Sequence, residues 1–286
     1  MNYRELREKC ARILSDNEYC DVSFELPILA ELATGKKRGE LFLDDEIDSF
    51  DCARLISLCT RRKEGYPLQY LLGKWDFMDL ELNVGEGVLI PRQDTECVCE
   101  AALRHLEGIN RPVVIDLCSG TGAIALAIKK HCPKRTVLAL EKSEEAYRYL
   151  EKNIESTALE VLPIKYDVFR FDYVPEEGTF DMIVSNPPYI DRTLEGTLQK
   201  ELSYEPREAL YTSGGGLRFY RFIAEYFRRT LKDGGYLVFE CGSDQYDRLQ
   251  RILSGYGYSI VEKITDLGGN DRGIVARYYH DHDKIL

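Results

Sequence analysis

The run Phe180-Asp181-Met182-Ile183-Val184 is short, largely apolar and partly β-branched, which predicts a buried strand of a parallel sheet. It ends at Ser185-Asn186-Pro187-Pro188-Tyr189. That places Asn186 at the carboxyl end of the strand, where open α/β sheets bind their ligands. The two prolines set φ, remove two backbone donors and hold the segment extended.

The peptide is therefore stiff and rich in acceptors. Asn186 offers a side-chain oxygen, Pro187 a carbonyl with no N–H of its own, and Tyr189 a flat aromatic face. Such a group suits a planar NH2, which donates two hydrogen bonds while its plane lies on the ring. The bland alternative is that Pro-Pro after a strand is only a rigid turn, so the rest of the chain must decide.

Upstream, helical spacing of Leu6, Cys10, Ile13 and Leu14 predicts a helix over 3–14. A second is expected after Asp21, with Leu26, Leu29 and Leu32 inward and Gly35 closing it. The acidic run Asp44-Asp45-Glu46 marks the start of a third, which carries the stripe Cys52, Leu55, Ile56 and Cys59. From Gly73 to Pro91 the pattern changes to alternation, broken by Gly85 and Gly87, as in a β-hairpin between two domains. Ile90-Pro91-Arg92-Gln93-Asp94-Thr95-Glu96 follows. Pro91 and the acids suit a helix start, but Arg92 has no such explanation.

After Pro112 the strand Val113–Leu117 carries Asp116 and runs into Cys118-Ser119-Gly120-Thr121-Gly122 and then a helix. Glycines let a ligand approach the backbone, and the free N–H groups of the helix start favour an anion. The glycine spacing departs from GxGxxG, which disfavours a dinucleotide enzyme. The next strand ends at Glu141, where an acid would hold ribose hydroxyls. A third apolar segment leads to Asp167. Helix and strand then alternate to Ile264, so a doubly wound α/β sheet is expected. The final apolar segment, 274–279, follows a connection too short for a helical crossover and should pair antiparallel.

Net charge −11 and a pI near 5.1 disfavour a broad nucleic-acid-binding surface. Arg61-Arg62-Lys63 reads as a solvated helix end. Nine cysteines without paired spacing imply reduced thiols. No metal is expected: Cys97 and Cys99 point to different faces of a helix, and His280 and His282 read as a solvated tail. No run reaches the length of a membrane span and the N-terminus lacks an apolar leader, so the expected location is cytoplasmic. A monomer is the default, because no long apolar seam is evident.

Asp116 to Gly122, Glu141 and Asn186 to Tyr189 resemble the motifs of S-adenosylmethionine-dependent methyltransferases that act on exocyclic or amide nitrogens. Residues 61–73, Ile90 to Glu96, Glu205-Pro206-Arg207 and Asp266-Leu267-Gly268-Gly269-Asn270-Asp271-Arg272 are further similar to the HemK/PrmC family. The resemblance is weakest across the first sixty residues. It implies methylation of the glutamine amide in the Gly-Gly-Gln motif of class 1 peptide chain release factors. It also implies a helical docking domain over 1–73, a hairpin linker over 74–91, and a seven-stranded Rossmann-like catalytic domain over 92–286.

Carried over by position, Asp116 and the turn Cys118, Ser119, Gly120, Thr121 and Gly122 would hold the methionine end of the cofactor, Glu141 the ribose, and Asp167 with Val168 the adenine. Asn186 would lie between cofactor and substrate. Pro187, Pro188, Tyr189 and Arg92 would join it in receiving the glutamine, with Asn186, Pro187 and Tyr189 acting in catalysis and S-adenosylhomocysteine leaving as product. Cys118 stands where glycine is common, and Glu141 where aspartate is.

An amide nitrogen is a poor nucleophile, so such a site works by placement: two acceptors on its N–H bonds aim the lone pair at the methyl. Two rivals remain at this stage. One is an amino-methyltransferase of adenine in nucleic acid, which can use the same tetrapeptide. The other is a non-catalytic protein that binds a translation factor.

Overall fold

The computed structural model describes residues 1–170 and 175–280. By its contacts the chain forms two units. One comprises Met1–Lys74 with Gln199–Tyr204, and the other Trp75–Leu198 with the chain from Glu205 onward. The ranges read from sequence place 199–204 in the catalytic part, whereas these residues pack with the helical unit. No helix among the described residues is long and apolar enough to cross a membrane.

The helical unit contains α1 (Tyr3–Leu14), α2 (Val22–Thr34), α3 (Ser49–Lys63) and α4 (Leu68–Leu72). Each of the first three starts at a side-chain cap. Asn2 accepts from Glu5 N–H, Asp21 from Ser23 and Phe24, and Asp48 from Asp51. The third helix thus begins at Asp48 and not in the acidic run before it: Asp45 instead accepts from Phe42 N–H, and Glu46 pairs with the N-terminal amine. Leu6, Cys10, Leu14, Leu26, Leu29, Leu55 and Cys59 fill the core.

Arg62 contradicts the expectation of a solvated helix end. It is buried, forks onto Glu25 through Nε and Nη2 at 2.5 and 3.0 Å, and reaches Glu201 through Nη1 at 2.9 Å. Removing one partner of such a cluster leaves an uncompensated buried charge, which costs about 3–5 kcal/mol.

A hairpin follows, β1 (Lys74–Phe77) and β2 (Leu80–Asn83), which belongs to the second unit from Trp75 on. Met78 and Asp79, its two turn residues, both have positive φ, the geometry that matches the twist of paired strands. Next come α5 (Asp94–His105), β3 (Val113–Leu117), α6 (Ala123–His131), β4 (Thr136–Glu141), α7 (Glu144–Thr157), β5 (Val161–Lys165) and β6 (Phe180–Ser185). A short pair, β7 (Ile190–Asp191) and β8 (Tyr211–Thr212), brackets α8 (Arg207–Leu210). The chain continues with α9 (Arg218–Tyr226), β9 (Leu231–Glu240), α10 (Tyr246–Gly255), β10 (Tyr258–Thr265) and β11 (Asp271–Tyr278).

Seven strands form one sheet in the order β10-β11-β9-β6-β3-β4-β5. The strands from β5 to β9 pair in parallel, and β11 is antiparallel to both neighbours, as the short connection before it required. This is the doubly wound sheet expected from the alternation of helices and strands. Strand β9 starts earlier than its apolar pattern suggests. Phe180 pairs with Leu231 but Met182 with Tyr236, so Lys232 to Gly235 bulge out before regular pairing resumes.

The strand order reverses at β3, from which the chain proceeds to β4 on one side and later to β6 on the other. The crevice at the carboxyl ends of β3 and β6 is therefore the place where this topology accommodates a ligand. His280 is not a free tail residue. Its Nε2 lies 2.8 Å from the Leu231 carbonyl and its N–H donates to Asp233, while His282 falls outside the described residues.

Candidate active site at the carboxyl edge of the sheet

On the β3 side of the crevice, Leu117 leads into a tight turn. Ser119 N–H donates to the Leu140 carbonyl and Gly122 N–H to the Ser119 carbonyl, at 3.0 and 2.7 Å. Cys118, Gly120 and Gly122 all have positive φ. Cys118 thus occupies a left-handed conformation that costs an L-residue roughly 1–2 kcal/mol, the physical reason glycine suits that position. At Gly122 an added Cβ would meet Leu150 Cδ1 at 2.5 Å, whereas at Gly120 it would meet nothing nearer than 4.0 Å.

Two carboxyls border the turn. Asp116 is buried; its Oδ2 accepts from Ala125 N–H at 3.2 Å while Oδ1 has no partner. Burial pushes its pKa well above the usual carboxylate range. Glu141 is held at the tip of β4 by three backbone donors. Its Oε2 accepts from Gly120 N–H at 2.8 Å, and its Oε1 from Lys142 and Ser143 N–H at 2.8 and 2.7 Å. Burial raises its pKa, with those donors opposing. Asp167 accepts from Phe169 N–H at 3.0 Å and pairs with Lys142, while Val168 lies in the core.

The residues present fit a small polar ligand. Asp116 Oδ1 and the Ser119 hydroxyl are buried without partners, an arrangement that costs about 1–3 kcal/mol per neutral group and is relieved by a bound polar molecule. The open side of Gly120 lets such a molecule approach the backbone.

On the β6 side, Pro187 and Pro188 are buried, and Asn186 and Tyr189 are half-buried. The tetrapeptide is tied down at both ends. Ser185 Oγ donates to the Leu117 carbonyl at 2.6 Å, and Gln245 Nε2 to the Tyr189 carbonyl at 2.8 Å. Asn186 Nδ2 lies 3.5 Å from Thr95 Oγ1, so its Oδ1 is turned the other way. Burial raises the Tyr189 phenol far above its ordinary range and keeps it neutral.

Arg92, which helix-start chemistry could not explain, pairs with Glu205, and that same carboxylate accepts from Ile90 N–H at 3.0 Å. Glu205 is buried. Arg272 bridges Asp94 and Asp266 at 3.0 and 2.9 Å. The segments that sequence singled out separately, 90–96, 205–207 and 266–272, are thus joined by ion pairs. Sequence reasoning missed Thr95 and Gln245 as partners of the tetrapeptide, and no local pattern marks them. It also passed over Glu240, the last residue of β9, although an acid ending an apolar strand was a visible signal.

Comparison with known proteins agrees with this geometry. Residues 96–224 match the methyltransferase small domain family and residues 5–73 the PrmC N-terminal domain family. A release factor glutamine methyltransferase of Clostridium botulinum is 36% identical over 259 residues, covering 87% of this chain and 91% of the relative. One of Fusobacterium nucleatum is 37% identical over 222 residues, covering 77% of this chain but 62% of the relative's length. A methyltransferase structure from Pyrococcus furiosus shares the fold at 20% identity, with a TM-score of 0.50 over 70% of this chain and 90% of that one. With a parallel sheet ending in an acceptor-rich tetrapeptide, a glycine turn beside two carboxyls, and these relatives across most of its length, the chain belongs to the HemK/PrmC family of release factor glutamine methyltransferases.

Proposed function

We propose that this chain transfers a methyl group from S-adenosylmethionine to the side-chain amide nitrogen of the glutamine in the Gly-Gly-Gln motif of class 1 peptide chain release factors. The observation that carries this reading is the orientation of Asn186. Its Nδ2 faces Thr95, which leaves Oδ1 outside that contact as an acceptor, with the Pro187 carbonyl next in the chain. A primary amide presents two N–H bonds to two such acceptors, and its plane can lie on the Tyr189 ring.

Asp116, Ser119 and the turn to Gly122 would hold the amino-acid end of the cofactor, Glu141 its ribose, and Asp167 with Val168 its base. When bound, S-adenosylmethionine supplies an electrophilic methyl on a sulfonium. The protein's own part is placement. Asn186 Oδ1 and the Pro187 carbonyl accept the two N–H bonds, which orients the nitrogen lone pair out of the amide plane. Alignment of two bound reactants can lower a barrier by about 7–11 kcal/mol. The same acceptors stabilise positive charge as it grows on nitrogen, most strongly where water is excluded. No base is needed to remove the proton beforehand, because it leaves once the nitrogen has become acidic. The helical unit would dock the release factor.

The test is transfer of a labelled methyl to a purified class 1 release factor and to the same factor with its Gly-Gly-Gln glutamine changed to glutamate. Label on the first and none on the second is expected. Equal labelling of both, or label on adenine-containing DNA or RNA alone, would overturn the assignment.

A further inference from the structure

Between α9 and α10 lies a cleft of about 410 Å³ that takes no part in the mechanism above. Helical spacing builds it. On α10, Arg248, Arg251, Ile252 and Gly255 fall at i, i+3, i+4 and i+7, which is one face of a helix. Leu217 and Arg221, four apart at the start of α9, line the other wall, and Tyr256 closes the end. Leu217 and Ile252 are buried and form an apolar floor, Tyr256 is half-buried, and the three arginines are exposed. The cleft shares no lining residue with the cofactor turn, with Glu141 or with the tetrapeptide.

None of the three guanidiniums forms an ion pair among the described residues. Acids in this region are engaged otherwise. Glu225 accepts from the Tyr256 hydroxyl at 3.1 Å, Asp191 from the N–H and hydroxyl of Thr193 at 2.9 Å, and Asp247 meets Arg251 through its backbone carbonyl at 3.1 Å. Arg248 is seated by the glycine run before α9: a Cβ on Gly215 would lie 2.5 Å from its Nη2. In a chain of net charge −11 with 49 acids, three cations left without carboxylates around one concavity repel one another until an anion enters.

Guanidiniums present planar forks of donors that match carboxylate and phosphate oxygens. A carboxylate brings one charge. One phosphate monoester brings about two, so a chain of two or three phosphates balances three guanidiniums and has oxygens enough for each. The floor needs covering as well. A flat base would lie over Leu217 and Ile252 and against the Tyr256 ring, and the volume falls in the range of small-ligand pockets, about 300–1,000 Å³. An extended nucleic acid would require cations tracking its backbone, which three residues in one cleft do not supply.

We propose that the cleft between α9 and α10 binds a nucleoside di- or triphosphate, with Arg221, Arg248 and Arg251 on the phosphates and the base on Leu217, Ile252 and Tyr256. Because none of these residues belongs to the methyl-transfer site, the proposal stands or falls separately from the substrate assignment.

The test is calorimetric titration of the whole chain with guanosine diphosphate, with S-adenosylhomocysteine kept saturating so that the cofactor crevice is already filled. Saturable binding is expected, weakened about 10-fold or more by Arg248→Gln and by Arg251→Gln, while the affinity for S-adenosylhomocysteine stays within about twofold in both. The floor has no group that reads a base edge, so adenosine diphosphate should bind like guanosine diphosphate. Pyrophosphate should bind more weakly than either, since it leaves the floor wet. Gly255→Leu occupies the cleft without changing its charge, and a Cβ there meets nothing within 4 Å. It should weaken the nucleotide and leave pyrophosphate unaffected. No binding of guanosine diphosphate at millimolar concentration, binding indifferent to both arginine substitutions, or pyrophosphate as tight as the nucleotide would overturn the proposal. So would tighter binding of a polyglutamate peptide or of an RNA oligonucleotide than of the nucleotide.

Discussion

Gln245 donates to the Tyr189 carbonyl at 2.8 Å, and Gly216 sits against that same carbonyl so closely that a Cβ on it would lie 2.1 Å from the oxygen. The last residue of the tetrapeptide is therefore clamped from two directions by segments that follow it in sequence. Gly216 also has φ +79°, which an L-residue adopts only under strain.

From this contact, Gly216→Ala should lower stability by at least about 1 kcal/mol from backbone strain alone. It should also reduce kcat about tenfold or more by displacing Tyr189. Denaturant unfolding and steady-state kinetics check the two effects. Wild-type values in both would contradict the clamp.

Glu141 serves two tasks in this account. Its three backbone acceptances shape the turn, and the same carboxylate is proposed to hold ribose hydroxyls. Glu141→Ala should therefore weaken cofactor binding by about 10- to 100-fold and also loosen the protein by about 1–3 kcal/mol, since it leaves partly buried donors unpaired. Calorimetric titration with S-adenosylhomocysteine reads the first and thermal unfolding the second. An unchanged dissociation constant would refute the ribose role.

Asp266 carries a pH-dependent share of stability. Hydrogen bonds from Asn270, then Arg272, hold its pKa down to about 2. Because the folded value lies below the unfolded one of about 3.9, its contribution is complete above about pH 4. It is lost as the pH falls toward about 2. The stability gap between wild type and Asp266→Asn should accordingly narrow over that interval. A gap that stays constant down to pH 2 would show that the carboxylate's charge is not what holds the 266–272 turn.

Much of this was legible in the chain because it is local. Short apolar strands alternating with amphipathic helices announced the wound sheet, and the short connection after Asp266 announced the antiparallel final strand. What stayed hidden depends on residues far apart. The Arg92 partner, Glu205, is 113 positions away, and the Asn186 neighbour Thr95 is 91 away; no periodicity carries such pairings. Arg62 was misread for the same reason: three basic residues at a helix end look solvated until Glu25 and Glu201 close over the middle one. The early start of β9 was masked by Gly234 and Gly235, which read as a break because they form a bulge. The motif was legible as a stiff, acceptor-rich peptide, and the fold adds its ties to Leu117, Gln245 and Thr95.

The central claim is placement of a glutamine amide by Asn186. Its most direct test is intact-mass and peptide mass spectrometry of a class 1 release factor after incubation with S-adenosylmethionine and either wild type or Asn186→Ala. The account predicts one added methyl on the Gly-Gly-Gln glutamine with wild type. With the variant it predicts a rate at least about 100-fold lower, although the variant binds cofactor normally. Methylation at a comparable rate by Asn186→Ala, or no methyl on that glutamine with cofactor-bound wild type, would contradict it.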